Sequence, residues 1–380
     1  MRRGGRENDI VISSRVRLAR NLRKYDFPHR ATAADLLAVR HRALQAIHTA
    51  SAAGGPIQQV KIIPFEEFTA WERQSLIDRH FSSREHLKDE LGRAVAAIAD
   101  GSVAVLINEE DHIRLQSLLP GLQLDAAFAL VDKVDDAMEE FIDARGGYAY
   151  SERFGYLTAC PTNAGTGMRA SLMLHLPALE IVGKIDKARK AMEAKGLVLR
   201  GTFGEGSKVW GHLHQLSNQV TLGLDETEIL LDVDSAAQEL CAMERQARET
   251  LPEKFAEDTH DRIGRAYGIL RYSRRIQCRE ATECLSMLRL GHELNWVKGL
   301  TRQRFNELLV WIRPAYLQVL HGRSIGNTER DRLRADLLRP HIARVRLDAA
   351  FTTETPFLNS SDIAFAGNGS SQSPEEAPDS

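Results

Sequence analysis

The spacing of apolar residues changes character near residue 235, and this change limits the fold more than any other feature of the chain. Before it, short β-type runs alternate with helical stretches. Val60–Pro64 and Val103–Ile107 read as buried strands between turn residues. Leu124–Ile142 carries Phe128, Val131, Val134, Met138 and Phe141 at helical spacing, with acids on the opposite face. Tyr156–Cys160 reads as a strand stopped by Pro161, and Arg169–Leu176 as one ended by Pro177. Leu197–Arg200 leads into a glycine-rich loop. From about Asp234 the pattern is helical, with helices expected at Ser235–Thr250, Asp258–Gln277, Ala281–Val297, Thr301–Leu320 and Thr328–Leu347. The expectation is an α+β fold: a mixed domain over residues 1–235, an all-helical domain over 236–350, and a polar tail over 351–380 too poor in apolar surface to order. A chain of 380 residues buries full cores without disulfide or metal staples.

Several classes drop out. No apolar run approaches the roughly 18 residues of a membrane span. The N-terminus is basic but has no apolar h-region of a signal peptide. The four cysteines, Cys160, Cys241, Cys278 and Cys284, form no CxxC pair, which argues against zinc or a disulfide framework. A reducing cytoplasm is expected. The net charge of −2 gives no global field for nucleic acid. Within that balance stand 39 arginines against 11 lysines. Arginine is a planar fork that pairs bidentately with carboxylates and phosphates. The bland reading of the excess is a GC-rich genome that favours arginine codons; local clusters are the places where arginine would carry chemistry.

Such clusters lie in the first half. Ser13-Ser14-Arg15-Val16-Arg17 follows the β-type run Ile10–Ile12, so a continuing strand puts Arg15 and Arg17 on one face. Two forks side by side repel unless an anion sits between them, although two arginines on a solvent-facing edge strand are also common. Asn108-Glu109-Glu110-Asp111-His112-Ile113-Arg114 sets three acids after an apolar strand, costly unless they are used or solvated. A solvated acidic turn is one reading; a general base at Glu110 with Arg114 beside a phosphate is the other. Pro161–Ser171 holds Gly165 and Gly167 and leads into Arg169. Arg200–Gly206 has three glycines around Glu205, a loop able to close over a ligand. Neither is GxxxxGK[ST], and no HRD or DFG motif accompanies them, so a P-loop NTPase and a eukaryotic-type protein kinase are both excluded.

The order SSRVR, NEEDHIR, CPTNAGTGMRAS, RGTFGEG and QLSNQVTLG resembles the phosphagen kinases, the ATP:guanido phosphotransferase superfamily. That resemblance implies an antiparallel sheet flanked by helices, of glutamine-synthetase-like type. It implies transfer of the γ-phosphoryl of MgATP to a guanidinium nitrogen. Arg15, Arg17, Arg114, Arg169 and Arg200 would hold the phosphates. Ser13, Ser14 and Val16, the segment Ala170, Ser171, Leu172 and Met173, and the loop Gly201, Thr202, Phe203 and Gly204 would complete the nucleotide site. His80 matches a nucleotide-contacting histidine. Glu110 would be the catalytic base, Glu205 the second carboxylate, also counted with the nucleotide loop, and Cys160 the reactive cysteine. No residue is assigned to hold a metal by itself.

The branch is also legible. Arginine and creatine kinases carry an all-helical domain before the catalytic one, whereas here SSRVR begins at Ser13 and a helical region follows instead. Arg330-Asp331-Arg332-Leu333-Arg334-Ala335 matches the RDxxRA pattern of the bacterial protein arginine kinases, the McsB family, in which it forms a phosphoarginine pocket. The bland readings are a Thr328–Asp331 capping box and a solvated face shared by Arg330 and Arg334. Phe203 and Ala164 depart from the family's usual Tyr and Val. The resemblance implies protein substrates, an activating adaptor, a heat-shock repressor, a Clp-type unfoldase and a homodimer. A free-arginine kinase and a non-catalytic phosphoarginine scaffold are the alternatives. No membrane and no direct nucleic-acid partner is expected.

Overall fold

Eight strands pair into one antiparallel sheet, and most of the chain is arranged around it. The computed structural model describes residues 5–52, 59–78, 81–83, 86–87, 89–98, 101–144, 146–201, 209–348 and 351. In chain order the elements are β1 (Val11–Arg20), α1 (Ala33–Ala52), β2 (Lys61–Pro64), α2 (Ala70–Asp78), β3 (Ala94–Ile98), β4 (Val103–Ile107), β5 (Ile113–Pro120) and α3 (Leu124–Asp143). A small hairpin follows, β6 (Tyr150–Ser151) and β7 (Gly155–Tyr156). Then come β8 (Met168–His175), α4 (Pro177–Ile181), α5 (Ile185–Glu193), β9 (Leu197–Gly201) and β10 (Leu213–Asn218). The second half is α6 (Glu226–Lys254), α7 (Ala256–Tyr272), α8 (Cys278–Glu293), β11 (Val297–Lys298), α9 (Arg302–Trp311), α10 (Pro314–His321), α11 (Asn327–Ile342) and β12 (Arg346–Leu347).

The sheet order is β2-β3-β4-β5-β1-β8-β10-β9, so β1 lies between β5 and β8 near the centre. Along β1 the pleat sorts the side chains. Val16 and Leu18 are buried in one core with Val131, Val134 and Met138 of α3. Arg15 and Arg17 fall on the other, open face. The open face is therefore where chemistry can occur.

Several expected elements shift, each for a local reason. The strand expected at Tyr156–Cys160 is only Gly155–Tyr156, because the Ala159 amide donates to Asp111 Oδ1 (2.7 Å) instead of to a ladder. The helix expected at Ser235–Thr250 is α6, which starts nine residues earlier at an Asp225/Glu228 capping box. The helix expected at Thr301–Leu320 breaks into α9 and α10, since Pro314 holds the preceding Arg313 extended (ψ 145°). Helix α11 ends at Ile342, and β12 then pairs with β11, a strand pair in a half that reads as purely helical.

Candidate functional site

Three neighbouring strands bring the arginines together. Arg17 of β1 lies directly opposite Arg169 of β8, and Arg15 opposite Ser171. Arg114 of β5 faces Ala19 of β1, one pleat away. Arg17, Ala19, Glu110, Arg114, Asn163, Gly167 and Arg169 enclose a cavity of about 140 Å³. Gly167 sits at φ 64°, and a Cβ there would lie 2.7 Å from the Ala19 carbonyl oxygen. A side chain would thus be strained as well as obstructing. Arg200 on β9 stands opposite Gln215 of β10. Its charge is felt at Arg169, although it is itself exposed.

Among the described residues, Arg15, Arg17 and Arg169 are short of counter-charge. Burial, then Arg15, Arg114 and Arg169, push the Arg17 guanidinium well below its ordinary pKa. Burial and the same neighbours lower Arg15 to about 10. Burial, Arg200 and Arg114 also lower Arg169. Nε of Arg17 and Nε of Arg169 are buried with no hydrogen-bond partner among the described residues. Neutral partners satisfy only part of the rest: Arg15 donates to Ser171 Oγ (3.3 Å) and Gln215 Oε1 (3.5 Å), and Arg169 to Ser217 Oγ (3.1 Å). A multiply charged anion would supply both the missing acceptors and the missing negative charge. The triphosphate of ATP fits that requirement. Mg²⁺ would come with it on phosphate oxygens; among the described residues no group of three His, Cys, Asp or Glu side chains is disposed to hold a metal ion.

The three consecutive acids divide their labour. Asn108 takes a positive φ of 56° and turns β4 into β5, its side chain donating to the Leu36 and Gly92 carbonyls (2.8 and 2.7 Å). Glu109 is buried, pairs with Arg114 Nη1 and accepts from Ser83 Oγ. Asp111 is fully buried and its Oδ1 accepts from Asn21 Nδ2 and the Ala159 amide, both at 2.7 Å. Only Glu110 stays open, 42% exposed at the cavity and 3.0 Å from Arg114 Nη2. The solvated-turn reading therefore fails for two of the three. Through Ala159, Asp111 also fixes the segment that carries Cys160. Cys160 Sγ lies 3.0 Å from Thr162 Oγ1 and bears electrostatically on Arg169, so thiol, arginine and carboxylate share one site.

The remaining expected residues separate by pleat and by place. Ser13, Arg15, Ser171, Leu172 and Met173 border a small crevice of about 20 Å³ with Leu118 and Gln215. Ser14 is buried; its Oγ donates to the Gly121 carbonyl (2.7 Å) and accepts from the Gln123 amide (2.8 Å). Val16 and Ala170 lie in the helix-side core, and Leu172 is itself buried there. Gly201 ends β9. His80, Thr202, Phe203, Gly204 and Glu205 lie outside the described residues. Glu109, Gln215 and Ser217 carry roles that residue-level reading does not assign. The alternation Gln215-Leu216-Ser217 is the signal that could have found the last two.

In the helical half, Arg334 is buried and donates to the carbonyls of Ile312 and Ile276, each at 2.7 Å, while Asp331 pairs with it at 2.6 Å. Asp331 therefore completes no capping box; the helix starts from Gly326, and Arg334 does not share a solvated face with Arg330. Arg330 contacts Asn327, Arg332 is exposed near Glu329, Leu333 is half-buried and Ala335 is in the core.

Residues 42–247 match the family model of the ATP:guanido phosphotransferase C-terminal catalytic domain. Residues 256–353 match that of the protein-arginine kinase McsB C-terminal domain. A protein-arginine kinase of Pelotomaculum thermopropionicum is 42% identical over 344 residues, covering 90% of this chain and 94% of its own. Another, from Halothermothrix orenii, is 41% identical over 89% of this chain and 94% of its own. Among solved structures, a lombricine kinase superposes with a TM-score of 0.54 at 27% identity, over 63% of this chain and 67% of that one. The substrate-free duplicated taurocyamine kinase of Schistosoma mansoni gives 0.54 at 25% identity, over 66% of this chain and 36% of that one. With both halves matched, the chain belongs to the ATP:guanido phosphotransferase family, in its protein-arginine kinase branch.

Proposed function

We propose that the chain transfers the γ-phosphoryl group of MgATP to a guanidinium nitrogen of arginines in other proteins. The observation that carries this reading is the counter-ion-poor arginine cluster with two orphaned Nε donors, beside the open carboxylate of Glu110. Arg15, Arg17, Arg114, Arg169 and Arg200 hold the phosphates and neutralise charge on the transferring group. A guanidinium is protonated at neutral pH and is a poor nucleophile. Glu110 takes its proton as the nitrogen–phosphorus bond forms and the bond to the β-phosphate oxygen breaks, releasing ADP. Glu109 keeps Arg114 oriented. Glu205 is proposed as the second carboxylate on its loop, His80 as a nucleotide contact, and Cys160 as a group whose thiolate form would favour the bound fork.

Residues 1–235 form the catalytic part, 236–350 the helical part and 351–380 the tail. By family likeness, the RDxxRA stretch of α11 binds phosphoarginine, and the molecule dimerises through its helical half. By the same likeness it works with an adaptor, a heat-shock repressor and a Clp-type unfoldase in the cytoplasm. Among the described residues no helix is long and apolar enough to cross a membrane. Incubation with MgATP and an arginine-rich protein should yield acid-labile phosphoarginine, with little phosphorylation of free arginine. Efficient turnover of free arginine alone would favour a small-molecule guanidino kinase. Phosphoarginine binding without any ATP turnover would favour a scaffold.

A further inference from the structure

The loop between Cys160 and Arg169 has two faces. Asn163 and Gly167 border the arginine cavity together with Glu110. Gly165 and Thr166, between them in the chain, border a second cavity of about 560 Å³. The two cavities therefore stand on either side of one short loop. Gly165 packs its backbone against the β6–β7 hairpin, where a Cβ on Gly155 would run into the Gly165 carbonyl. The rest of the second cavity comes from that hairpin, from the turn at 222–225 and from the start of α6.

This lining is apolar and open. Of the ten large apolar side chains exposed among the described residues, Tyr150, Phe154 and Leu222 line this one cavity. Exposed apolar groups gathered in one place mark a binding surface. The lining is also anionic: Glu139, Asp225 and Glu226 stand against one cation among the described residues, Arg153. Burial, then Asp135 and Asp143, raise the Glu139 carboxyl, while nearby Arg20 is paired with Asp135 (2.7 Å). The rings already hold guanidinium groups. Arg153 lies 4.9 Å from the Phe154 ring centre, and Arg20 3.5 Å from that of Tyr156. Aromatic rings among carboxylates attract cationic side chains, and the same carboxylates repel a phosphate backbone.

We propose that this cavity docks the polypeptide flanking the target arginine, and that it selects segments carrying further lysines or arginines. The inference rests on the neighbouring cavity being the site of transfer. The target guanidinium enters beside Glu110, on one side of the loop. The flanking cations settle on the other side, against Phe154, Tyr150 and Glu226. Lysine has no guanidinium, so a flanking lysine contributes to binding without competing as an acceptor.

The test uses the full chain with MgATP and two synthetic peptides. Each has one arginine, flanked by lysines in one and by serines and glycines in the other. The native chain should show a lower KM for the lysine-flanked peptide. Phe154→Ala should raise that KM about twofold to fivefold, the weight of one exposed cation–π contact, and Glu226→Gln should raise it as well. Both should leave kcat, the KM for ATP and the KM for the neutral peptide unchanged. Arg153→Gln removes a competing cation and should lower the KM for the lysine-flanked peptide. Unchanged KM values in folded Phe154→Ala and Glu226→Gln, or an equal rise for both peptides, would overturn the proposal. Peptide titration calorimetry without ATP separates it from the proposed activity. If the native chain phosphorylates neither peptide but binds the lysine-flanked one through Phe154, the transfer reading fails and the docking surface stands. If it neither phosphorylates nor binds them, both fail.

Discussion

At the scale of single residues, the legible part of the site is the part set by pleat and charge. Arg15 and Arg17 are two apart in a β-type run, and the strand puts both on the open face. Glu109 and Glu110 are chemically identical in sequence, yet one is buried against Arg114 and Ser83 and the other opens onto the cavity. No local rule separates them; the turn at Asn108 does, and its geometry depends on carbonyls from Leu36 and Gly92 far along the chain. Arg20 and Asp135 were equally illegible. Their ion pair (2.7 Å) is almost fully buried, with Tyr148 Oη donating to the second carboxylate oxygen (3.1 Å) and Tyr156 stacked 3.5 Å from the guanidinium. Breaking one partner of such a pair leaves a buried charge uncompensated. Asp135→Asn should lower unfolding free energy in a denaturant titration by about 3–5 kcal/mol. A loss below about 1 kcal/mol, the size seen at exposed pairs, would show the pair to be loosely solvated.

At the scale of elements, helices with a clear 3.6-residue pattern were legible and short strands were less so. Helix α3 lies where Val131, Val134 and Met138 predict it. Strand β3, with the sequence AVAAI, carries no alternation because it is buried on both faces. Part of what lies on the other face of β3 and β4 is a small second core of Ile63, Phe65, Leu76, Val95, Ala104 and Leu106. Beside it sits His86, packed 4.5 Å from the Phe65 ring and hydrogen-bonded through Nε2 to the Ile107 carbonyl (2.8 Å). Burial lowers its pKa to about 4. The ordinary value is about 6.5, so between these two pH values the unfolded chain binds the extra proton and the folded one does not. Its contribution is complete above pH 6.5 and is lost as pH falls toward 4, amounting to about 3 kcal/mol. Denaturant unfolding followed from pH 7 to pH 4 should show this slope, and His86→Gln should flatten it. An equal slope in the variant would mean that His86 titrates normally in the fold.

At the scale of the whole molecule, what the sequence could not reveal is how the two halves are joined. Residues just before β1 are strapped onto α6, α8 and α9. Arg6 pairs with Asp234 (3.2 Å), Asp9 with Arg245 (2.8 Å) and Arg248 (3.4 Å), and Asn8 accepts from Arg289 (3.2 Å) and Arg302 (2.9 Å). The strap leads directly into the strand that carries Arg15 and Arg17, so the helices help set the position of β1. Burial raises the Asp9 carboxyl, but Arg245 and Arg248 outweigh that and hold it below its ordinary range. The tie is therefore intact at neutral pH and weakens only as pH falls through that lowered value. Arg245→Ala should speed hydrogen exchange of the amides before β1 while leaving β8 unchanged. Equal exchange in both proteins would show that the strap bears no load.

We propose that this fold phosphorylates arginine with Glu110 as the base. The most direct test is phosphosite mass spectrometry under non-acidic conditions, on an arginine-rich protein incubated with MgATP and either the native chain or Glu110→Gln. The native chain should produce phosphoarginine on the substrate and on some of its own 39 arginines. The variant should lose a factor of about 10²–10⁴ in rate, the usual share of general-base catalysis, while still binding ATP. Full activity in Glu110→Gln, or phosphate found only on hydroxyl side chains, would contradict the account.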